Sequence, residues 1–71
     1  MRFATDTGGT FTDLVVEEDD GTITLHKAPT TPSDPVAGVL DALMVAADAR
    51  DMTLSDLLAR GDSFIHGTTH A

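Results

Sequence analysis

The chain has 71 residues, which limits it to one small domain that buries only about 60% of the surface its unfolded chain exposes. It contains no cysteine, which excludes disulfides, thiolate zinc sites and cysteine nucleophiles within these residues. Twelve acidic against four basic residues give a net charge of −8, which argues against binding to nucleic acid or to an anionic membrane surface. With no signal-peptide pattern and no run of about 20 apolar residues, the sequence predicts a cytoplasmic protein.

The chain opens with two predicted strands, at about residues 2–6 and 11–17, joined through Gly8 and Gly9. Two glycines between strands are typical of a hairpin turn, because glycine reaches positive φ without a steric cost. The second strand contains Leu-Val-Val at 14–16, an apolar run that predicts a strand covered on both faces. Covering both faces takes more protein than 71 residues supply, so we expect this chain to be part of something larger.

The same turn has the composition of a phosphate-binding loop. Backbone N–H groups at Gly8, Gly9 and Thr10 can surround an anion such as phosphate, and threonine hydroxyls, including that of Thr12, can donate to its oxygens. Asp6 is a hard oxygen ligand that can hold Mg²⁺, or water bound to it, beside such a phosphate. Spacing alone leaves a phosphate loop and a plain turn equally open.

The rest of the chain predicts a third strand, two helices and a fourth strand. Asp20-Gly21 is a tight-turn signal, and the strand that follows alternates polar and apolar residues, with His26 on the polar, exposed side. Asp34 and Pro35 predict a helix start with a side-chain cap. We expect the first three strands to form an antiparallel meander. The fourth strand follows a crossover helix, so we expect it to pair in parallel with one of these three strands. The third and fourth strands lie at about 22–28 and 63–66, and the helices at about 35–50 and 54–60.

A second glycine–threonine turn follows the fourth strand, at residues 66–69, which read HGTT. His66 and His70 are four residues apart, but a zinc site lacks an evident third ligand. Nucleophilic catalysis by Thr68 or Thr69 with His66 as the base lacks a third, orienting group. The plainer interpretation is that these residues close a strand end.

Several stretches together resemble a known family. Residues 6–10 are similar to the first phosphate loop of the ATPase fold shared by sugar kinases, actin and the heat-shock chaperones. The longer run DTGGTFTDLV resembles the N-terminal domain of the hydantoinase A/5-oxoprolinase family, which also supplies a subunit of acetone and acetophenone carboxylases. The stretches KAPTTP with DP, GVL, and HGTT agree in order and spacing, so the resemblance covers essentially all 71 residues. The ending FIHGTTHA looks closer to the ketone carboxylase members.

The resemblance implies an α/β fold, the actin- and sugar-kinase-like (ribonuclease H-like) ATPase domain, of which these residues would be the N-terminal fragment. It implies ATP and Mg²⁺ as cofactors. Gly8, Gly9 and Thr10 would contact the β- and γ-phosphates, and Thr12 would support the loop. Asp6 would be the catalytic carboxylate, which holds Mg²⁺ through water or orients the attacking group.

The resemblance also implies a substrate and partners. His66, Thr68 and Thr69 would face the cleft that binds substrate oxygens. The substrate would be a small ketone or cyclic amide, activated by phosphorylation, with a ketone carboxylase preferred. Family members are several hundred residues long, so the expected partners are the remainder of the same subunit and a hydantoinase B-like subunit. The alternative is a non-catalytic binding or assembly module that retains a glycine–threonine turn.

Overall fold

The structure, a computed structural model, describes residues 1–68, and only the backbone of Thr68. Within them, the elements follow the order strand, strand, strand, helix, helix, strand, as the sequence predicts. Their bounds are β1 (Arg2–Thr7), β2 (Phe11–Glu17), β3 (Ile23–Pro29), α1 (Pro35–Asp48), α2 (Leu54–Ala59) and β4 (Ser63–Thr68).

The strands form one mixed sheet in the order β3-β2-β1-β4. The first three make an antiparallel meander, and β4 lies parallel to β1. Because a parallel pair cannot be joined by a tight turn, the chain needs a crossover connection, which α1 and α2 provide. The predicted parallel pairing of the last strand is therefore confirmed.

The helices pack against one side of the sheet, which we call the helix face. Successive side chains of a strand point to opposite sides, so alternate residues of β1 and β2 form this face. Alanines at 42, 46 and 47 let α1 approach the sheet closely, since they add little bulk. The buried core consists of Met1, Phe3, Leu14, Val16, Ala28, Ala42, Leu43, Ala46, Ala47 and Leu57.

The opposite side of the sheet, which we call the open face, is not covered by any described residue. Leu25 and Ile65 lie on it and are each 65% exposed. The prediction that residues 14–16 are covered on both faces therefore holds for one face only: Leu14 and Val16 are fully buried, whereas Val15 is half-buried on the open face.

Strand β3 turns its polar side toward α1, which corrects the prediction of an exposed His26. Thr24 and His26 share the helix face with Leu14 and Val16, to which they are paired. Arg50, just after α1, supplies their hydrogen-bond partner. Because these polar groups are satisfied inside the protein, the strand can place its apolar residues on the open face.

The helix ends only partly follow the sequence signals. Asp34 precedes α1 but makes no side-chain cap hydrogen bond, so the predicted cap is wrong; Pro35 takes the first helical position as expected. The helix ends at Asp48, and Asp51 then adopts a left-handed conformation with φ of 54°. Thr53 caps α2, because its hydroxyl accepts from the amide of Asp56 at 3.1 Å.

Candidate functional site

The glycine loop, residues 8–10, joins β1 to β2 at one end of the sheet. The amide of Gly8 donates to the carbonyl of Phe11 at 3.0 Å, so it is not available to an anion, and that part of the prediction is wrong. The amides of Gly9 and Thr10 donate to no acceptor among residues 1–68. The loop therefore offers two backbone donors.

Positive φ, the expected reason for the two glycines, does not apply to them. Neither Gly8 nor Gly9 has positive φ, whereas Gly21 in the β2–β3 turn has φ of 89°. A Cβ on Gly8 would lie 3.2 Å from the carbonyl oxygen of Phe11, but a Cβ on Gly9 would meet nothing within 4 Å. The described fold thus explains glycine at position 8 and leaves it unexplained at position 9.

Two threonines in the strands that flank the loop point into the protein. Thr12 is fully buried, and its hydroxyl bonds to the hydroxyl of Thr30 at 2.9 Å. Thr7 is 5% exposed, and its Oγ1 finds no hydrogen-bond partner among the described residues. The expectation that the Thr12 hydroxyl donates directly to phosphate is therefore wrong in this geometry, because that oxygen is enclosed behind the loop.

The carboxylates lie on the open face. Asp6 of β1 is paired directly with Asp13 of β2, and the two side chains share a face because cross-strand partners point the same way. Lys27 Nζ lies 3.5 Å from Oδ1 of Asp13 and 5.2 Å from the centre of the Phe11 ring. Mg²⁺ takes one or two carboxylates and completes its shell with water and phosphate, so these two carboxylates beside the glycine loop are of the type that it binds.

His66 lies on the helix face, across the sheet from Asp6. Its Nδ1 is 2.8 Å from the hydroxyl of Thr5, which is buried and is its partner in the β1–β4 register. Asp6 pairs with Gly67, one residue further along. The structure thus brings β4 beside the loop but separates the predicted carboxylate from the predicted substrate-binding histidine by the sheet itself.

The remaining predicted substrate residues are less fully described. Thr68 is the last residue of β4 and is paired with Thr7. Thr69 and His70 lie outside the described residues, and with them the possible zinc pair. Among residues 1–68, no group of three or more histidine, aspartate or glutamate side chains is arranged to hold a metal ion.

Comparison with known proteins identifies the family of this chain. The family model described as the hydantoinase/oxoprolinase N-terminal region matches residues 2–71. The chain belongs to this family. It is similar to caprolactamase subunit alpha of Pseudomonas jessenii, with 40% identity over 70 residues, which are 99% of this chain and 10% of that protein. It is also similar to the acetophenone carboxylase gamma subunit of Aromatoleum aromaticum, with 41% identity over 66 residues, 93% of this chain and 9% of that protein.

This hydantoinase/oxoprolinase N-terminal region spans about a tenth of the length of the curated relatives it matches. The family resemblance seen in the sequence is confirmed by the match. In the part of the chain that the structure describes, no helix is long and apolar enough to cross a membrane.

Sequence reasoning missed two residues of this family member that hold the loop. Thr30, in the connector before α1, donates its amide to the Thr10 carbonyl at 2.8 Å and its side chain contacts Thr12. Gly38 of α1 is buried beside the same hydroxyl pair. Both lie in stretches that carry the family resemblance, and this was the signal that could have identified them. Nothing in their residue types points to a contact with the loop.

Proposed function

We propose that this chain supplies the first phosphate-binding loop of an ATP-dependent enzyme subunit of the hydantoinase/oxoprolinase family. The observation that carries this proposal is the glycine at position 9. Its φ is not positive and a Cβ there would touch nothing, so the described fold does not need glycine. A glycine of this kind is typical of a position where a ligand approaches the backbone closely.

The loop binds the phosphates through its backbone. The amides of Gly9 and Thr10 act as the donors, and Thr12 supports the loop from behind. Asp6, opposite Asp13 on the open face, holds Mg²⁺ directly or through water. When bound, Mg·ATP supplies the phosphoryl group that activates a substrate oxygen. Phosphoryl transfer of this kind depends mainly on positioning and charge stabilisation, which fixed amides and a positioned carboxylate provide.

His66, with Thr68 and Thr69, forms the substrate side in this proposal. The hydroxyl of Thr5 holds Nδ1 of His66, and the ring is otherwise exposed. One ring nitrogen is thus fixed in orientation while Nε2 remains for a substrate oxygen. The relatives' names point to a lactam and to an aromatic ketone, so ketone carboxylation and cyclic amide opening both remain candidate reactions.

The uncovered apolar surfaces support a larger assembly. On the open face, Leu25 and Ile65 lie between two ion pairs, Arg2 with Glu17 at 3.4 Å and Lys27 with Asp13 at 3.5 Å. These two ion pairs neutralise the charges of four residues on this face, despite the net charge of −8. We propose that the remainder of an ATPase-type domain, of the actin and sugar-kinase kind, covers this face.

A second apolar surface runs along α1, where Val36, Leu40 and Met44 are 64%, 42% and 50% exposed. Their spacing of four residues places them on one side of the helix. A hydantoinase B-like subunit or another part of the same subunit is the proposed occupant.

The test of the phosphate loop is replacement of Gly9 in the full-length native polypeptide. We expect Gly9→Val to weaken binding of the non-hydrolysable analogue AMP-PNP with Mg²⁺ by at least about tenfold, as loss of a close backbone contact should, with little change in melting temperature. Isothermal titration calorimetry measures the binding. Thr22→Val, in the exposed turn between β2 and β3, is the control. Unchanged affinity in Gly9→Val would contradict the proposal.

A further inference from the structure

We propose that Thr30 and Gly38 are positioning residues that hold the glycine loop in its binding geometry. The inference rests on the proposed function and extends it to two residues that would touch neither nucleotide nor substrate. Both belong to the segment that leads into and begins α1, and Thr30 lies 18 residues after Thr12 in the chain.

Thr30 holds the loop at two points. Its amide donates to the carbonyl of Thr10 at 2.8 Å, and its hydroxyl bonds to that of Thr12 at 2.9 Å. Thr12 is fully buried, and among the described residues Thr30 is the hydrogen-bond partner of its hydroxyl. One residue therefore fixes both the end of the loop and the first inward-facing residue of β2.

Gly38 lies against the contact between Thr12 and Thr30 from the side of α1. A Cβ on Gly38 would lie 2.7 Å from Oγ1 of Thr12 and 3.3 Å from the carbonyl oxygen of Pro29. Glycine within a helix is unfavourable compared with alanine, so its presence in α1 has a packing reason. Without a side chain at this position, the first turns of α1 come directly against the threonine pair.

These contacts hold the peptide groups on either side of the two that carry the proposed donors. The Thr30 amide fixes the orientation of the Thr10 carbonyl, and the Gly8 amide fixes that of Phe11. The amides of Gly9 and Thr10 lie between these two anchors. A donor that is already oriented loses little freedom when it binds an anion, which is how preorganised sites gain strength.

The test compares Thr30→Val, which removes the hydroxyl, with Thr30→Ser, which keeps it. Thr31→Val makes the same chemical change at the neighbouring exposed residue and is the matched control. All variants are made in the full-length native polypeptide. Hydrogen–deuterium exchange of a peptide covering the loop measures its mobility without nucleotide, and calorimetry measures the affinity for AMP-PNP with Mg²⁺.

We expect Thr30→Val to accelerate exchange at the loop and to weaken AMP-PNP binding roughly tenfold, the effect of one lost hydrogen bond. Thr30→Ser and Thr31→Val should both behave like the unmodified protein. Unchanged loop exchange in Thr30→Val would overturn the positioning inference. Failure of the unmodified protein to bind AMP-PNP would instead overturn the proposed function, so the two failures are distinguishable.

Discussion

The two ends of the helix face differ in whether their polar groups have hydrogen-bond partners among the described residues. At one end, the guanidinium of Arg50 contacts the carboxylate of Glu18 at 3.0 Å, the hydroxyl of Thr24 at 2.8 Å, Nε2 of His26 at 3.2 Å and the carbonyl of Ala46 at 2.9 Å. This Arg50 cluster is satisfied within the chain.

At the other end, the amides of Gly9 and Thr10 donate to no described residue, and Thr7 Oγ1 is buried without a described partner. Buried polar groups in folded proteins are normally hydrogen-bonded, so the Thr7 hydroxyl is an exception, whereas Gly9 and Thr10 are exposed to solvent. The Arg50 cluster thus serves the fold, whereas the proposed function assigns the unused donors of the glycine loop to a ligand. The following substitutions test that contrast.

Arg50→Ala should have the largest effect on stability. The side chain is only 14% exposed and connects the end of α1 to β2 and β3. Its removal leaves Glu18 and Thr24 without their partner, and we expect a loss of about 2 kcal/mol in the free energy of unfolding. Urea denaturation measures the loss, and Arg60→Ala, at an exposed arginine, is the matched control.

If the Arg50 cluster and the glycine loop are independent, Arg50→Ala should leave the AMP-PNP affinity of the folded protein unchanged. A change in affinity larger than the change caused by Arg60→Ala would show that the two ends are not independent.

Gly38→Ala should have the next largest effect. Alanine improves helix propensity by up to about 1 kcal/mol, but the new Cβ would crowd Thr12 Oγ1 at 2.7 Å. Crowding in a packed interior typically costs about 1 to 3 kcal/mol, so we expect a net destabilisation of about 1 kcal/mol in urea denaturation. A variant that is more stable than the unmodified protein would show that Thr12 moves aside freely.

The sequence predicted the order of the elements and the parallel pairing of β4, because hydrophobic periodicity and the crossover rule depend on local patterns. It predicted wrongly which side of β3 meets α1, because it placed His26 on the exposed side. Alternation defines two faces but does not say which one a helix covers, and Arg50 reverses the usual preference by satisfying Thr24 and His26.

The glycine loop was predicted in its position between β1 and β2 and less well in its geometry. The motif located the loop between Asp6 and Asp13, but the Gly8 amide is used within the turn and Thr12 points inward. Which amides remain available depends on the hydrogen bonds of the turn. The contact with Thr30 depends on the path of the connector between β3 and α1. Neither is encoded in a local pattern of residue types.

Thr7→Val should change the free energy of unfolding and the AMP-PNP affinity in opposite directions. Valine has nearly the same shape and removes a buried hydroxyl that has no described partner. Replacing such a group should raise the free energy of unfolding by about 1 kcal/mol. If the Thr7 hydroxyl hydrogen-bonds to the ligand of the loop, the AMP-PNP affinity should fall at the same time. A stabilised variant with unchanged affinity would assign Thr7 no part in binding.

The smallest expected effect is the pH dependence that arises from His26. Burial, followed by the charge of Arg50, lowers the pKa of His26 below its usual value of 6.5. The unfolded chain then binds more protons than the folded one between the two pKa values, so stability is full above pH 6.5 and falls as the pH drops toward the lowered pKa. Comparison of His26→Gln with the unmodified protein, by urea denaturation from pH 7.5 down to about 5, isolates this contribution from that of Glu18 and other carboxylates. Identical pH profiles for the two proteins would show that His26 is not enclosed by the Arg50 cluster.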